Sequence, residues 1–579
     1  MKSKDTYMRF EDIEEKLCDI DCVSFDVFDT LLLRPFVNPE DIFDYIGEIN
    51  NVSDFRKMRV KAENECRHVH SGEITLNEIY SYLGDELLFM KDKEVSAECR
   101  LSIANPEVMD IYRKVSASGK KIIAVSDMYL PLSVIETMLR KNGYCDHVLY
   151  VSSEYGFCKH DGSLYEHVLK DMKVDAGRLL HIGDNFHSDL KMPLSLGVKA
   201  LRYVPLREQY FHSCHREFKF YHRNKSLGSS VVVAMDMLQW LRKKYDNSDY
   251  WYDLGYRFGG PVSSFFVRNM MSVVPEDTDR IFFVSRDGYN LEKVYKILCS
   301  APIENRYVHA SRFFSAIFGD MMDDSSYAKM IFEYFSNNPK VKTLNPGKGA
   351  SNDRYIRAFK DNQDVFLPLI AREKERFRQY IKKIAGDAKR IMVVDATTMK
   401  YSSQRLLQGA LGTCVQTIGY YYHVMANGRL NHMEYRDCSQ KSFNWTYVNV
   451  VEFFLGSPEY PIRDISDDGS PVYMEDVPED EIYRAKIYPD VTRGEEDYAN
   501  CLKDVFGDEI PLVKSDIIHK WLHVLVDGSR VSNDEFSKMR WSSDADHSIY
   551  HGLIFGPADV YYVLRSKVGE IFWKMKNKG

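Results

Sequence analysis

The stretch VSFDVFDTLLLRP at Val23–Pro35 joins an apolar run to two aspartates and a Thr-Leu-Leu turn. Its first residues, Val23–Asp26, have the apolar composition of a buried parallel strand, and this strand ends in the carboxylate of Asp26. The carboxyl end of a parallel strand is the place where open sheets bind their ligands. Asp26 is therefore the first candidate for a functional residue.

Four further apolar runs alternate with amphipathic segments and predict an α/β fold with a parallel sheet. The runs span Lys121–Val125, His147–Ser153, Arg178–Ile182 and Lys199–Val204. The first three lead into Ser126, Ser153 and Asp184. We expect these polar groups to lie with Asp26 along one edge of the sheet, since parallel strands share their carboxyl edge.

A long helical insert separates the first two strands, over residues 37–116. Asn38-Pro39 pairs an N-cap with a proline at the first helical position, and Thr75 with Glu78 forms a capping box. Because the insert directly follows the first strand, we expect it to cover the carboxyl end of that strand.

Four segments of this region resemble the motifs of the haloacid dehalogenase superfamily. They are FDVFDTLL with Asp26, AVSDMY with Ser126, FCKHDGSLY with Lys159, and HIGDNFHSD with Asp184 and Asp189. Their order and spacing are also similar to that family, and the insert resembles its helical cap of the first type. The resemblance covers residues 20–205 and implies a hydrolase domain over 1–205, with a Rossmann-like core at 20–36 and 117–205 and the cap at 37–116.

The resemblance implies a Mg²⁺-dependent phosphohydrolase or phosphotransferase that works through an aspartyl-phosphate. It assigns catalytic roles to Asp26, Ser126 and Lys159, and metal binding to Asp26, the backbone carbonyl of Phe28, Asp184 and Asp189. Carboxylate oxygens suit Mg²⁺, and positive charge beside a carboxylate nucleophile offsets its repulsion by a phosphoryl group. The partner is then a small phosphorylated substrate.

Phe28 departs from the family pattern, because phosphatases of the superfamily place a second aspartate at this position. That aspartate protonates the leaving oxygen, and such acid-base help is worth roughly 10²–10⁴-fold in rate. We expect a substrate with a good leaving group, such as a glycosyl 1-phosphate or another sugar phosphate, an acyl phosphate or a diphosphate. The alternative is a binding or assembly module whose hydrolase site has decayed.

The remaining chain predicts a linker at 206–228, a second α/β domain at 229–460 and a mainly helical region at 461–579. Segments SRDG, VVDATT and EFFLGSPEY resemble the carboxyl-terminal half of predicted hydrolases found among bacterial polysaccharide biosynthesis genes. The strand-loop-helix order also resembles phosphoribosyltransferases, so a phosphoribosyl- or glycosyl-transferring half is a further alternative.

Two polar loops of the second domain predict an anion-binding pocket, because both follow apolar strands and precede helices. The candidate residues are Ser285, Arg286, Asp287, Asp395, Ser402 and Ser403. The simpler alternative is that Arg286 pairs with a carboxylate and the serines only cap helices.

Composition excludes several classes of protein. A chain of 579 residues with a net charge of −8 is a poor candidate for binding nucleic acid. Eleven cysteines without a CxxC pair favour reduced thiols over a zinc site. We expect a cytoplasmic protein, since neither a signal peptide nor a run of about 18 apolar residues is present.

Overall fold

The computed structural model describes residues 13–542 and 550–554, apart from gaps at 15–16, 71, 244–248, 319–324, 348, 399, 425–432 and 439–447. The chain forms two compact units. The first comprises Met1–Asp246 and Asp504–Pro511, and the second comprises Asn247–Lys503 and Leu512–Gly579.

Seven strands are described in the first unit. In chain order they are β1 (Cys22–Phe25), β2 (Leu32–Leu33), β3 (Ile103–Ala104), β4 (Lys121–Ser126), β5 (Val148–Val151), β6 (Leu179–Gly183) and β7 (Lys199–Arg202). Five of them form a parallel sheet in the order β5-β4-β1-β6-β7. Each predicted strand of this sheet is present, with bounds that differ by one or two residues, and the predicted α/β fold is confirmed.

Strand β1 lies in the middle of this sheet, between β4 and β6. Its last residue, Phe25, is in register with Ala124 of β4 and Ile182 of β6, and the amide of Asp26 donates to the Ile182 carbonyl at 2.9 Å. The ends of the three strands therefore meet at one place, which is where the candidate residues were expected.

Helices make up most of the remainder of the first unit. They are α1 (Asp41–Ile49), α2 (Phe55–Val69), α3 (Leu76–Ser81), α4 (Met90–Leu101), α5 (Pro106–Ala117), α6 (Leu132–Lys141), α7 (Ser152–Tyr155), α8 (Ser163–Met172), α9 (Met192–Ser195), α10 (Leu206–Ser213), α11 (His215–Arg223) and α12 (Leu227–Lys243). A π-helical turn at Phe186–Lys191 and 3₁₀ turns at Asp85–Leu87 and Ala176–Arg178 complete the list.

The helical insert is held on a two-stranded stem. Strands β2 and β3 pair antiparallel and enclose α1–α4, whereas the predicted range 37–116 also takes in α5, which follows β3. Inside the insert, Arg59 of α2 forms two hydrogen bonds of 2.8 and 2.9 Å with the Glu94 carboxylate of α4. Both side chains are fully buried, so this ion pair fixes the two helices against each other.

The stretch 206–228, for which the sequence predicts a linker, contains two helices and the start of a third. Helices α10–α12 bury Leu206, Tyr210, Phe220 and much of the apolar run that begins at Val231. They belong to the first unit.

The second unit contains another five-stranded parallel sheet. Its order is β12-β11-β10-β8-β9, with β8 at Arg280–Val284, β9 at Glu304–Val308, β10 at Arg390–Thr398, β11 at Gln416–Val424 and β12 at Tyr435–Asp437. Two antiparallel pairs follow, β13 (Ile462–Ile465) with β14 (Pro471–Tyr473) and β15 (Arg540–Ser542) with β16 (Tyr550–Gly552).

Helices make up most of the remainder of the second unit. They are α13 (Tyr250–Leu254), α14 (Gly260–Met271), α15 (Gly288–Leu298), α16 (Arg312–Phe318), α17 (Ser325–Tyr334), α18 (Pro339–Leu344), α19 (Asn352–Asp361), α20 (Gln363–Ala385), α21 (Ser402–Leu411), α22 (Val448–Phe454), α23 (Glu479–Phe506), α24 (Ser515–Ser532) and α25 (Glu535–Lys538). A π-helical turn at Gly255–Gly259 joins α13 to α14. Among the described helices, none has the length and apolar character needed to cross a membrane.

Candidate active site

Three carboxylates converge at the carboxyl edge of the first sheet. Asp26 follows β1, Asp184 follows β6, and Asp189 lies on the π-helical turn after β6. One oxygen from each side chain lies within 4.8 Å of the others. Hard carboxylate oxygens at this spacing are a donor set that fits Mg²⁺, as the sequence predicts.

Lys159 is the cation of this cluster. Its Nζ donates to Oδ1 of Asp26 at 2.5 Å and to Oδ1 of Asp189 at 2.6 Å. The Lys159 side chain is 4% exposed, so these charges interact with little screening by water. The lysine from the third motif is thus brought directly onto the predicted nucleophile, although Lys159 and Asp26 are 133 residues apart in sequence.

Asp189 is held in place by groups whose roles the sequence does not predict, although His181 and Asn185 belong to the same motif HIGDNFHSD. Its Oδ2 accepts the backbone N–H of Asn185 at 2.9 Å, and Nε2 of the buried His181 lies 3.1 Å from its Oδ1. Nδ1 of His181 in turn lies 2.8 Å from Oγ of Ser24 on β1. Because His181 and Ser24 both point inward from strand interiors, they read as ordinary core positions in the sequence.

The protonation of the cluster follows from burial and from its mutual charges. Burial raises the pKa of Asp26 well above its usual value, against the opposing charge of Lys159. Burial, with Asp29 and Asp189 nearby, raises the pKa of Asp184 to about 7. Burial acts the same way on Asp189, but Lys159 and His181 outweigh it and hold its pKa well below the ordinary value. A divalent cation would favour the ionised form of all three carboxyls.

Ser126 ends β4 at the same edge and is buried. The next residue, Asp127, accepts the backbone N–H of Lys159 at 2.7 Å and that of His160 at 3.3 Å. Asp127 therefore holds the loop that carries the lysine, a role that the sequence does not predict because Asp127 and Lys159 are 32 residues apart.

Phe28 begins a tight hairpin immediately after the nucleophile. Asp29 adopts a left-handed backbone (φ 59°), and its amide donates to the Leu32 carbonyl at 2.8 Å. The Phe28 ring is half-buried and lies under the guanidinium of Arg34, whose central carbon is 4.3 Å from the ring centroid. The position of the family's second acid is thus occupied by an aromatic ring and a cation.

The second unit brings its two predicted loops to one sheet edge, because β8 and β10 are adjacent parallel strands. Burial raises the pKa of Asp287 well above its usual value, and Asp395 and Glu452 add to this shift. Burial also raises the pKa of Asp395 to about 6. Several carboxyl groups therefore lie at this edge of the sheet, and their negative charge disfavours the binding of an anion there.

The remaining candidates of that pocket are engaged elsewhere. Nη1 and Nη2 of Arg286 donate to the Glu481 carboxylate at 2.7 and 3.1 Å, and Ser403 donates to Asp395 at 2.6 Å. Ser402 begins α21. Arg286 thus makes the carboxylate pair that was the simpler alternative, and these contacts do not support the anion pocket, which stays a prediction.

Comparison with known protein families gives a match within the first unit. Residues 20–197 match the model of the haloacid dehalogenase-like hydrolase family. No curated protein matches this chain. The chain therefore carries a haloacid dehalogenase-like hydrolase domain over residues 20–197.

Three similar solved structures represent two haloacid dehalogenase-type proteins, and each structure aligns to 32% of this chain. A family hydrolase from Xanthomonas campestris shows 16% identity over 82% of its own length, with a TM-score of 0.26. A family enzyme from Bacteroides thetaiotaomicron shows 14% identity over 93% of its length, with a TM-score of 0.26. Its complex with magnesium and inorganic phosphate aligns at 15% identity over 93%, with a TM-score of 0.24.

Proposed function

We propose that the first unit is a Mg²⁺-dependent phosphohydrolase or phosphotransferase that acts through an aspartyl-phosphate on Asp26. The observation that carries this proposal is the contact of 2.5 Å between Lys159 Nζ and Asp26 Oδ1, inside a buried group of three carboxylates. A purely structural ion pair would not require two further carboxylates at the same sheet edge. The proposed roles of nucleophile, cation and metal ligand explain why Asp26, Lys159, Asp184 and Asp189 lie together.

In the proposed reaction, an oxygen of Asp26 attacks phosphorus and forms a new P–O bond. The bond from phosphorus to the leaving oxygen breaks, and that oxygen keeps the electron pair. Water, or an acceptor hydroxyl in a transfer reaction, then attacks the phosphorus and restores the carboxylate. The overall hydrolysis yields inorganic phosphate and the leaving group.

The chain's own residues hold the phosphoryl group during both steps. Lys159 donates to a phosphoryl oxygen while it keeps its contact with Asp189, and the Ser126 hydroxyl donates to a second oxygen. Asp26, Asp184, Asp189 and the backbone carbonyl of Phe28 would hold Mg²⁺, which would supply further positive charge to the phosphoryl oxygens.

The side chain of Phe28 cannot protonate a leaving oxygen. We therefore propose a small substrate whose leaving group is already stable, such as a sugar 1-phosphate, an acyl phosphate or a diphosphate. The resemblance of the second half to hydrolases of bacterial surface-polysaccharide genes supports a setting in that metabolism. The geometry of the carboxylates and Lys159 favours this enzyme over a decayed binding module.

A substrate panel tests the proposal, with the full chain assayed with and without Mg²⁺. We expect phosphate release from activated esters that needs Mg²⁺ and is lost in Asp26→Asn. The matched control is Asp21→Asn, since Asp21 lies at the opposite end of β1 and pairs with Arg178 at the surface. Full turnover in Asp26→Asn contradicts the proposal, and absence of both turnover and Mg²⁺ binding in the parent favours the decayed module.

A further inference from the structure

His181 is a buried imidazole on strand β6 that contacts the candidate site from the interior of the sheet. Its side chain is 0% exposed, and its Nε2 lies 3.1 Å from Oδ1 of Asp189. The same oxygen accepts a hydrogen bond of 2.6 Å from Lys159, whose Nζ also lies 2.5 Å from Oδ1 of Asp26. A continuous chain of contacts therefore leads from His181 through Asp189 and Lys159 to the proposed nucleophile.

Contacts on both ring nitrogens determine which of them carries the proton. An ionised carboxylate only accepts hydrogen bonds, so Nε2 must supply the N–H of the contact with Asp189. Nδ1 lies 2.8 Å from Oγ of Ser24, and within the described part of the chain it is the one hydrogen-bonding partner of that hydroxyl. Because Ser24 is fully buried, its hydroxyl proton needs an acceptor. Ser24 therefore donates to an unprotonated Nδ1, and the ring is held in its Nε2–H form.

The partners of Asp189 differ in how firmly they are fixed. The His181 ring lies on β6, and the backbone N–H of Asn185, which donates to Oδ2, lies in the turn that follows β6. Lys159 is different, because in the proposed reaction its ammonium moves from Asp26 to a phosphoryl oxygen while it stays on Asp189. At that stage the Nε2–H of His181 holds Oδ1 in place, and it thereby fixes the point from which Lys159 reaches the phosphoryl group.

We propose that His181 is a positioning residue, which fixes Lys159 for the transition state by holding Oδ1 of Asp189, and that Ser24 sets its tautomer. This inference rests on the proposed function of the same site. His181 does not touch the substrate and exchanges no proton in the reaction. Its effect is largest while Lys159 contacts the phosphoryl group in transfer, so its loss should appear in kcat rather than in KM.

The competing role for His181 is to fill the core, where the Tyr165 ring packs edge-on against it with centroids 5.1 Å apart. A residue that only fills the core has the same effect whichever side chain stands at position 159. A residue that acts through Lys159 has no effect on turnover once Lys159 is replaced. His147 provides a matched control, because its side chain is 1% exposed and its Nε2 lies 2.9 Å from a Glu136 oxygen. It directly precedes β5, at the edge of the sheet opposite to the site.

The experiment measures kcat and KM for acetyl phosphate, and by calorimetry the binding of orthovanadate with Mg²⁺, in the full chain. Five-coordinate vanadate imitates the phosphoryl group in transfer. His181→Leu should lower kcat and vanadate affinity by about 10–100-fold, the usual effect of removing an outer hydrogen-bond partner of such a site. His181→Gln keeps an N–H donor near the position of Nε2 and should lose less than about 10-fold. His147→Leu, corrected for its folded fraction, should match the parent in both quantities.

A double variant separates the two roles of His181. If the ring acts through Lys159, adding His181→Leu to Lys159→Met should cause no further loss of turnover or of vanadate affinity. If thermal unfolding shows that His181→Leu does not fold, Ser24→Ala takes its place in both backgrounds. That change leaves Nδ1 without a partner and lets the ring proton leave Nε2. It should lower kcat by less than about 10-fold when Lys159 is present and have no effect in Lys159→Met.

Each outcome bears on the inference. An equal further loss in the Lys159→Met background, or a loss no larger than that in His147→Leu, would show that His181 only fills the core. Unchanged kcat and vanadate affinity in the folded variant, with an active parent, would likewise refute this inference alone. A parent that neither turns over acetyl phosphate nor binds vanadate with Mg²⁺ contradicts the proposed function, and this inference fails with it.

Discussion

Replacing Lys159 with methionine removes the only cation that touches Asp26 among the described contacts. The ammonium lies 2.5 Å from Asp26 and 2.6 Å from Asp189, and its side chain is 4% exposed. Breaking a buried ion pair on one side costs about 3–5 kcal/mol, because the other partner is left charged and unpaired. We expect a loss in unfolding free energy of this size for the first unit without Mg²⁺. The loss should shrink at acidic pH, where the carboxyls take up protons instead.

Magnesium should restore much of that stability, because it supplies positive charge to the same carboxylates. At a free concentration of 100 times its Kd, a ligand adds about 2.7 kcal/mol to stability. Lys159→Met should therefore bind Mg²⁺ at least as tightly as the parent, while kcat falls by about 10²–10³-fold. Calorimetric titration gives the Mg²⁺ affinity, and hydrogen exchange of amides in β1 and β6 reports the stability of this unit.

The matched control is Lys170→Met, at an exposed lysine near the end of α8. It should leave stability, Mg²⁺ affinity and turnover close to those of the parent, since exposed charges contribute little. If Lys159→Met without Mg²⁺ exchanges its β1 amides as slowly as the parent does, the charge balance described for this cluster is wrong.

Three further changes test other parts of the account. Phe28→Asp should raise kcat/KM for unactivated phosphate monoesters by up to about 10²-fold and leave activated esters nearly unchanged, because only the former need a proton. An unchanged ratio of the two in a folded variant refutes this explanation. Glu94→Gln should cost the first unit about 3–5 kcal/mol in denaturant unfolding, since it leaves the buried Arg59 without its counter-ion. Glu63→Gln removes a partly exposed partner of the same arginine and should cost less than about 1 kcal/mol, so equal losses would contradict the role given to burial. Asp395 has its pKa raised by burial to about 6, so stability of the second unit should fall as pH rises from about 4 to 6, and Asp395→Asn should gain at most about 3 kcal/mol above that window. If the stability of Asp395→Asn depends on pH in the same way as that of the parent, Asp395 does not titrate with a raised pKa in the folded protein.

The sheet of the first unit was predictable because its strands are short apolar runs between strong helix signals. Strand β1 is buried along its whole length, so its sequence shows no polar alternation, and the Thr75–Glu78 capping box is present with both of its hydrogen bonds. The helices over 206–223 were missed because their composition is polar and aromatic. Their buried residues recur at helical spacing, as Leu206 and Tyr210 do, and this periodicity was the available signal.

The residues of the candidate site could be predicted only where a polar residue stands at the carboxyl end of a predicted strand. Asp26, Ser126 and Asp184 end strands, so their meeting follows from the parallel topology. Contacts that depend on tertiary packing could not be predicted from the sequence. Glu98, the partner of Arg34, is 64 residues away, and the carboxylate that pairs with Arg286 is 195 residues away. No local sequence pattern predicts such pairs, because they form when segments that are distant in sequence pack together.

The formation of a phosphoryl bond to Asp26 tests the central proposal most directly. The full chain would be mixed with acetyl phosphate and Mg²⁺, quenched in acid during turnover, and digested for mass spectrometry. We predict a phosphoryl group on the peptide that contains Asp26, removable by hydroxylamine and absent both without Mg²⁺ and in Asp26→Asn. Continued release of phosphate with no label on Asp26, or with the label on another residue, would contradict the assignment of the nucleophile.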